Sequence, residues 1–318
     1  MHKVGIIGSR AVAEAHIKSI QKLSCFQLSG IYDFDEEERL RLHEEFQIPV
    51  FKSIDDLINQ SDIVDIASED MPHFDIASQA VRKSCHVFID RPLVSSLPEA
   101  QKLIELAFEA DVKVQIGHME RFNPAFVLAS EYIQQPNYIE ARRTQTLDNS
   151  RQHVVLDMMI QDIDIILSIA NSGIKKIQAR GHSLHSDELL MVNAHIVFDN
   201  GCIANLTSSK MDTNASTSLN IFQENDSLHI DLLNNRVQHH ALNAISGTQK
   251  AYLLQNKETC KPLELELESF NNSIKNNTTP NVSLMDGSQA LEVALLILDR
   301  VAYWQDVKFE GQKFGLRI

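Results

Sequence analysis

A strand-like run, Val4–Ile7, leads into the hexapeptide GSRAVA at residues 8–13, and an alanine-rich helical run follows directly. A glycine turn between a strand and a helix can place the helix N-terminus against a pyrophosphate group. Gly8 supplies the glycine of the tight turn and Ala13 the small residue for helix–sheet packing. Arg10 replaces the glycine that lets the backbone approach the phosphates. The turn therefore predicts a dinucleotide-binding fold whose phosphate contact is altered.

A second strand-like segment, Gln27–Asp33, ends in an acidic residue. An Asp at this place accepts hydrogen bonds from the ribose hydroxyls of NAD and repels the 2′-phosphate of NADP. The alternative is that Asp33 only opens a helix, because the sequence DFDEEERL is also typical of a helix N-terminus. The intact strand–turn–helix spacing favours the first interpretation, and we expect NAD rather than NADP as the cofactor.

Length and composition indicate the class of protein. The chain has 318 residues, 43% of them hydrophobic, which is enough for a large buried core and usually two domains. No apolar run approaches about 18 residues and no secretory signal precedes the first strand, so we expect neither a membrane span nor export. The four cysteines lie far apart without a C-x-x-C pair, which predicts reduced thiols in the cytoplasm and no metal site. The net charge of −14 argues against nucleic acid and anionic membranes as partners and leaves a small-molecule substrate.

Strand-like and helical segments alternate over a first domain, residues 1–121. The predicted strands are Lys3–Gly8, Gln27–Asp33, Ile63–Ala67, His86–Ile89 and Val112–Gly117. The predicted helices are Ala11–Leu23, Asp35–Phe46, Ile54–Asn59, Phe74–Lys83 and Leu97–Ala110. Such alternation builds a parallel sheet covered by helices on both faces, with ligands at the carboxyl ends of the strands. Those ends carry Gly8, Asp33, Ala67, Ser68, Asp90, Arg91, Gly117 and His118.

The pattern changes in a second domain, residues 122–318, where strands follow one another without helices between them. Helices are predicted over Ala125–Gln135, Val154–Asn171 and Asp286–Tyr303, and a loop over the Asn- and Thr-rich stretch Asn271–Pro280. The predicted strands are Tyr138–Thr146, Lys175–His182, Leu189–Asp199, Cys202–Ser209, Ser216–Glu224 and Leu228–Leu232. Together the two patterns predict an α/β protein with a parallel doubly wound sheet and a mostly antiparallel open sheet.

Five motifs in this order resemble the Gfo/Idh/MocA oxidoreductases, a family that includes glucose–fructose oxidoreductase and inositol dehydrogenase. They are VGIIGSRAVAEAH at residues 4–16, HVFIDRPL at 86–93, IGHMERFNPA at 116–125, VVLDMMIQDIDIIL at 154–167 and MDGSQALEVAL at 285–295. The resemblance covers nearly the whole chain. The wording RFNPA and LDMMIQDID is most similar to members that oxidise the sugar of a UDP-amino-sugar.

The resemblance implies a Rossmann domain, an α/β domain, a nicotinamide between the two, and hydride transfer at a carbinol carbon. It implies a cofactor site formed by Gly8, Ser9, Arg10, Ala11, Val12, Ala13, Asp33, Ala67, Ser68, His73, Asp90 and Arg91. In the family the open sheet often serves as an oligomer interface. Here its outer face is expected to expose apolar residues, which predicts a homodimer or homotetramer through this sheet. The residues expected there are Ile203, Leu206, Leu219 and Ile221.

Two positions depart from the family pattern. The family's Glu-Lys-Pro motif, whose lysine lies beside the reacting oxygen, is Asp90-Arg91-Pro92 here. Of the family's Asp and His one helical turn apart, Asp157 is retained and Gln161 replaces the histidine, still on the same helix face. Gln does not titrate and Arg stays protonated, so neither can accept the hydroxyl proton that His would take. The catalytic candidates are Arg91, Asp157 and Gln161.

The substrate-binding candidates have structural alternatives that the sequence leaves open. Asp157 is either a buried base or a residue that orients hydroxyls. His118 either faces substrate or is a hydrogen-bonded structural histidine. Arg121 and Asn123 either bind substrate or fix the hinge between the domains, and His153, beside a helix start, is expected to be exposed. The substrate-binding candidates are His118, Arg121, Asn123, Asp157 and Gln161.

Three functions remain. The first is an NAD-dependent oxidoreductase for a sugar, a sugar nucleotide or a related polyol, with rearranged acid–base groups. The second is a relative that binds a ligand without turnover. The third is a reductase whose substrate takes its proton from solvent or from itself, as in the biliverdin reductase branch of the superfamily. We place the oxidoreductase first because Asp33, Asp157 and the surrounding motifs are intact.

Overall fold

The computed structural model describes residues 1–8, 10–68, 71–147, 153–183, 188–242, 249–254 and 261–313 of the chain. The chain divides into two compact units. Unit 1 comprises Met1–Phe122 with Cys260–Gln289, and unit 2 comprises Asn123–Thr259 with Ala290–Ile318. This division differs from the predicted boundary at residue 121 in one respect, because residues 260–289 return to unit 1.

Unit 1 is built on a five-stranded sheet. Its strands are β1 (His2–Gly8), β2 (Phe26–Tyr32), β3 (Ile63–Ala67), β4 (His86–Ile89) and β5 (Val114–Ile116). Its first helices are α1 (Arg10–Lys22), α2 (Glu36–Phe46), α3 (Ile54–Asn59), α4 (His73–Arg82) and α5 (Leu97–Glu109), and a 3₁₀ turn, Met119–Phe122, follows β5. The strands are all parallel, in the order β2-β1-β3-β4-β5, and every residue of β3 is buried. The predicted parallel sheet is confirmed.

Unit 2 is built on an eight-stranded sheet. Its strands are β6 (Tyr138–Thr144), β7 (Ile174–His182), β8 (Met191–Phe198), β9 (Ile203–Ser209), β10 (Ser216–Phe222), β11 (Asp226–Asp231), β12 (Arg236–Leu242) and β13 (Gln249–Leu254). Its helices are α6 (Pro124–Ser130) and α7 (Ile160–Ala170), and a π-helical turn, Val154–Met159, leads into α7. The strand order is β13-β12-β11-β10-β6-β9-β8-β7, antiparallel except for the parallel pair β6 and β9. The predicted mostly antiparallel sheet is confirmed, with β12 and β13 in addition to the predicted strands.

Two helices form the C-terminal part of the described chain. Helix α8 (Pro262–Asn276) belongs to unit 1, where Leu267 and Phe270 pack into the same core as residues of β1, α1 and β2. The predicted loop over Asn271–Pro280 is therefore wrong as far as Asn276, because burial of these apolar neighbours outweighs the low helix propensity of asparagine. Helix α9 (Leu284–Lys313) is longer than predicted.

The two faces of the eight-stranded sheet differ in polarity. Leu206, Leu219 and Ile221 are fully buried, so the prediction that they stay exposed is wrong. Successive residues of a strand point to opposite faces, which puts half-buried Ile203 on the face opposite Leu206. We call the face of Ile203 the outer face. Polar side chains such as Asn205 lie on it.

No helix in the described part of the chain is long and apolar enough to cross a membrane. Three of the four cysteines lie in that part, namely Cys25, Cys85 and Cys202, and all three are free thiols. Burial raises the pKa of each of these thiols, which keeps them protonated and unreactive at neutral pH. Cys260 lies outside the described residues.

Candidate cofactor and substrate sites

The glycine turn after β1 closes against the end of β3. Gly8 has a φ of +156°, and a Cβ added there would lie 1.9 Å from the carbonyl oxygen of Ala67. A larger residue therefore does not fit at this position. Helix α1 begins at Arg10 and has no acidic residue in its first turn, so its N-terminal amides suit an anionic group. This geometry fits the pyrophosphate of a dinucleotide.

The remaining residues of the turn differ in exposure. Ala13 is fully buried, as the predicted helix–sheet packing requires, whereas Ala11 is exposed and Val12 half-buried. Ser9 and the side chain of Arg10 lie outside the described residues. The altered phosphate contact at Arg10 therefore stays a prediction.

Asp33 follows β2 and is 4% exposed. Its Oδ1 accepts a hydrogen bond from the backbone amide of Asp35 at 2.6 Å. The N-cap of α2 is Asp35, whose carboxylate accepts from the amide of Glu37 at 3.0 Å. Asp35 is therefore the residue that caps α2, and Asp33 stabilises the turn before the helix by its hydrogen bond with the Asp35 amide. Because β1 and β2 are parallel neighbours, Asp33 lies at the same sheet edge as Gly8.

His73 connects the segments that follow β3 and β4. Its Nε2 lies 2.6 Å from the carbonyl oxygen of Ser68, which is itself buried, and its Nδ1 lies 2.5 Å from that of Pro92. Carbonyl oxygens only accept, so each ring nitrogen of His73 faces a hydrogen-bond acceptor. His73 was predicted to contact the cofactor, but its ring nitrogens are engaged with these two backbone carbonyls.

The segment after β4 carries Asp90 and Arg91, both half-buried. Asp90 Oδ1 accepts from the backbone amide of Arg91 at 2.8 Å. Gly117, at the end of β5, lies so close that an added Cβ would be 2.9 Å from the same Asp90 oxygen. The carboxylate therefore shapes the backbone from which the Arg91 side chain extends, and the guanidinium brings a permanent positive charge to this sheet edge.

His118 and Arg121 follow β5. His118 is 2% exposed, and its predicted roles, facing substrate or acting as a structural histidine, stay predictions. Arg121 Nη2 lies 3.6 Å from Asp286 Oδ1. Asp286 Oδ2 in turn accepts from the amide of Ser283 at 2.8 Å, at the start of α9. Within unit 1, Arg121 thus connects the 3₁₀ turn to the first turn of α9.

Asn123 has a structural role within unit 2. Its Oδ1 accepts from the amide of Ala125 at 3.0 Å and caps α6. Its Nδ2 donates to the carbonyl oxygen of Leu232 at 2.9 Å. The side-chain amide is buried between these two partners, which both belong to unit 2, so the predicted roles of Asn123 in substrate binding or at the hinge stay predictions.

The turn that carries Asp157 is capped by His153. The Nδ1 of His153 accepts from the amides of Val155 and Leu156, both at 3.2 Å. Asp157 Oδ2 accepts from the amide of His153 at 2.5 Å. The expectation that His153 is exposed is wrong, because the ring is half-buried as an N-cap.

Gln161 lies one turn after Asp157, as the spacing predicted. Its Nε2 donates to the carbonyl oxygen of Asp157 at 3.3 Å. Its Oε1 is buried and has no hydrogen-bond partner within the described residues. A buried acceptor without a partner is costly, by about 1–3 kcal/mol, which makes it suited to a ligand donor such as a sugar hydroxyl.

Two ion pairs near this turn could not be predicted by motif: the pair of Arg143 and Asp162 is buried, and in the other a buried Lys210 meets the exposed Glu188. Arg143 of β6 binds Asp162 of α7 through Nε and Nη2, at 2.8–3.3 Å. Lys210 is 1% exposed, and its Nζ lies 3.0 Å from Glu188 Oε1. Alternation along β6 gives a signal for Arg143, which falls on the buried face with Ile139. Within the described ranges no three His, Cys, Asp or Glu side chains form a group that could hold a metal ion.

Comparison with known proteins gives a family match within unit 1 and relatives that match both units. Residues 2–118 match GFO_IDH_MocA, an oxidoreductase family with an NAD-binding Rossmann fold. UDP-N-acetylglucosamine 3-dehydrogenase from Acidithiobacillus ferrooxidans is 27% identical over 311 residues, 93% of this chain and 96% of that protein. Over residues 2–118 the chain is similar to the Gfo/Idh/MocA oxidoreductases, and over nearly its whole length it is similar to the Acidithiobacillus enzyme. Unit 1 thus resembles an NAD-binding Rossmann domain, and the similar proteins include dehydrogenases named for a sugar nucleotide and for inositols.

Solved structures of other proteins share the fold over nearly the whole chain. A structure of the Acidithiobacillus enzyme superposes with a TM-score of 0.89 at 26% identity, covering 94% of this chain and 97% of that one. Levoglucosan dehydrogenase, in complex with NADH and levoglucosan, superposes with a TM-score of 0.86 at 15% identity, covering 95% and 97%. The myo-inositol 2-dehydrogenase of Thermotoga maritima is 22% identical over 97% of this chain and 98% of that protein.

Proposed function

We propose that this protein is an NAD-dependent dehydrogenase that oxidises a secondary alcohol of a sugar or sugar nucleotide. The observation that carries the cofactor assignment is the parallel pairing of β1 with β2, which sets the Gly8 turn and Asp33 at one sheet edge. Asp33 is buried and fixed by the Asp35 amide. Its negative charge supports NAD over NADP, because the extra phosphate of NADP would meet a carboxylate.

The side chains of the protein have distinct roles in this proposal. A bound NAD supplies the hydride acceptor. Arg91, always charged, binds a substrate oxygen or an anionic group and takes up no proton. Gln161 offers its buried Oε1 to a substrate hydroxyl. Of the three catalytic candidates, only Asp157 can accept the hydroxyl proton.

The relatives support a sugar nucleotide as the first substrate to test. The Acidithiobacillus relative acts on UDP-N-acetylglucosamine and matches both units. Other relatives act on inositol or on glucose 6-phosphate, and the second of these matches only 38% of this chain. We therefore propose UDP-N-acetylglucosamine as the first probe and myo-inositol as the second.

Ligand binding without turnover is the second candidate function. One observation favours it. His153 begins the turn that carries Asp157, but its ring cannot take the place of the family's histidine, whose position Gln161 occupies. Its Nδ1 lone pair is used by the amides of Val155 and Leu156. A protein of this kind would bind nucleotide and sugar and produce no NADH.

Cofactor binding is tested first, by thermal unfolding with NAD⁺, NADH, NADP⁺ and NADPH. Ligand at about 100 times its Kd adds roughly 2.7 kcal/mol of apparent stability. We expect the two NAD forms to raise Tm more than the two NADP forms. Asp33→Ser should reduce this difference, whereas Asp75→Ser, at an exposed position of unit 1, should leave it unchanged.

Turnover is tested next, by NADH formation from NAD⁺ with UDP-N-acetylglucosamine or myo-inositol. NADH formation would support the dehydrogenase. Binding of cofactor and sugar without NADH formation would favour the second candidate function. The absence of any Tm shift with the four nucleotides would contradict both.

A further inference from the structure

His153 begins the helical turn that carries Asp157 and leads to Gln161. One ring nitrogen, Nδ1, accepts hydrogen bonds from the backbone amides of Val155 and Leu156. The backbone amide of His153 in turn donates a hydrogen bond to Asp157 Oδ2. This reciprocal arrangement makes His153 the N-cap of the π-helical turn. Ser, Thr, Asp and Asn are the usual residues at such a position. A histidine is therefore an unusual cap. Unlike the four usual capping residues, it has a protonation equilibrium near neutral pH.

The cap requires one protonation state of the ring. A neutral imidazole has a single nitrogen lone pair available to accept hydrogen bonds, and here that lone pair is on Nδ1. The ring proton therefore resides on Nε2. A proton added at Nδ1 converts the acceptor into a donor, and both capping hydrogen bonds are lost. No other bond is made or broken in this step.

The charged groups around the ring determine when it takes up that proton. Within the described part of the chain, Asp157, Lys210 and Glu188 act on it. Burial has the largest effect and lowers the pKa of His153; Asp157 raises it, Lys210 lowers it, and Glu188 raises it slightly. The net result is a pKa lowered from its ordinary value, so the ring is neutral at pH 7 and takes up its proton only below the ordinary titration range of histidine.

We propose that His153 is the positioning residue for Asp157 and Gln161, and that it holds their helical turn in place only while its ring is neutral. When Nδ1 is protonated, the turn Val154–Met159 loses its cap and both side chains lose their fixed positions. Substrate binding then weakens in mild acid. This last consequence rests on the proposed function, whereas the loss of the cap does not.

Two variants separate the capping hydrogen bonds from their titration. His153→Asn keeps an acceptor oxygen at the cap and does not titrate, and His153→Ala removes the acceptor at every pH. Amide hydrogen exchange at Val155 and Leu156 is measured from roughly pH 8 down to pH 5. Dividing each wild-type rate by the rate of His153→Asn at the same pH removes the intrinsic pH dependence of exchange.

We expect this ratio to be flat near pH 8 and to rise by up to about tenfold per pH unit below the pKa of His153. His153→Ala should exchange fast throughout the range. The KM for UDP-N-acetylglucosamine should rise in acid for the wild type relative to His153→Asn, with NADH affinity following the same pH course in both proteins.

Three results would overturn the proposal. The first is an exchange ratio that stays flat down to pH 5. The second is a ring proton found on Nδ1 by ¹⁵N NMR at neutral pH. The third is a KM with the same pH dependence in the wild type and His153→Asn, because the cap would then titrate without positioning the substrate-binding residues. If UDP-N-acetylglucosamine and myo-inositol are not turned over, the proposed function fails, and the exchange ratio and the NMR spectrum still decide whether His153 is a proton-dependent cap.

Discussion

At the residue scale, we expect Arg91 and Gln161 to affect proton transfer more than any other step of the proposed reaction. Gln161 donates to the Asp157 carbonyl oxygen and keeps a buried acceptor, so it can hold a hydroxyl but cannot remove its proton. General acid–base catalysis typically contributes ~10²–10⁴-fold. We expect Gln161→His combined with Arg91→Lys to raise kcat by that order. The pH–rate profile should also gain an ionisation at roughly pH 6–7.

Gln161→Asn is the matched control for this pair, since it changes the side chain without adding a titratable group. Steady-state kinetics from neutral to alkaline pH provide the measurement, and wild-type activity should be low at neutral pH and rise with alkalinity. An unchanged kcat in the double variant, with NAD and substrate shown to bind, would mean that the site performs another chemistry.

At the scale of elements, the local sequence pattern was sufficient to predict a strand or helix where a short run of residues lies between clear turn signals. Strand β3 has the predicted bounds, Ile63–Ala67, because its five residues stand between turns and are apolar except for Asp65, which is paired with His16. Helix α8 could not be predicted to its end, because asparagine runs are typical of loops. Its helical structure depends on burial of Phe270 in the core of unit 1, far away in the sequence.

The candidate site likewise has some features that the sequence predicts and others that depend on the tertiary fold. The spacing of Asp157 and Gln161 follows from helix periodicity and agrees with their hydrogen bond. The cap at His153 could not be predicted, because a histidine is not a standard capping residue. The buried pair of Arg143 and Asp162 joins a strand to a helix, and such contacts depend on the tertiary fold.

A buried ion pair connects two elements of unit 1 and makes their packing pH-dependent. His16 of α1 and Asp65 of β3 lie 2.8 Å apart, at 4% and 0% exposure. Burial alone would lower the pKa of His16, but the charge and hydrogen bond of Asp65 outweigh it and raise that pKa. The stabilisation is therefore complete below the unfolded pKa of about 6.5 and is lost as pH rises through the higher folded pKa.

His16→Gln should lower the free energy of unfolding most in mild acid, by about 3–5 kcal/mol, the usual cost of removing one partner of a buried pair. The difference from the wild type should shrink between roughly pH 6 and pH 9. Urea unfolding at roughly pH 6 and roughly pH 9 measures this difference in the free energy of unfolding between the variant and the wild type. His182→Gln, at an exposed position of β7, is the control and should show no such trend. A difference that grows with pH would contradict the assigned direction of the His16 pKa shift.

At the scale of the whole molecule, the outer face of the eight-stranded sheet carries polar side chains joined by hydrogen bonds together with the exposed apolar residues Met191 and Phe222. Asn205 Nδ2 donates to the Tyr138 hydroxyl at 2.7 Å, and Asn220 Nδ2 donates to Glu140 Oε2 at 3.1 Å. His229 Nδ1 lies 3.0 Å from Asn220 Oδ1, so the hydrogen bonds run across neighbouring strands. Leu206, Leu219 and Ile221, which were predicted to drive association, are buried, so the surface available to a partner is this polar network with Ile203, Met191 and Phe222 beside it.

We propose that the outer face pairs with a second copy of the chain and forms a homodimer or homotetramer. Side chains already fixed by hydrogen bonds lose little conformational entropy on association, which favours binding through such a surface. Light scattering should give a multiple of 35.9 kDa for the wild type. Ser218→Arg places a charge on the strand position two residues before Asn220, on the same face, and should shift the mass toward one chain. Ser95→Arg makes the same change at an exposed position of unit 1 and should leave the mass unaltered, whereas a wild-type mass of one chain would exclude the assembly.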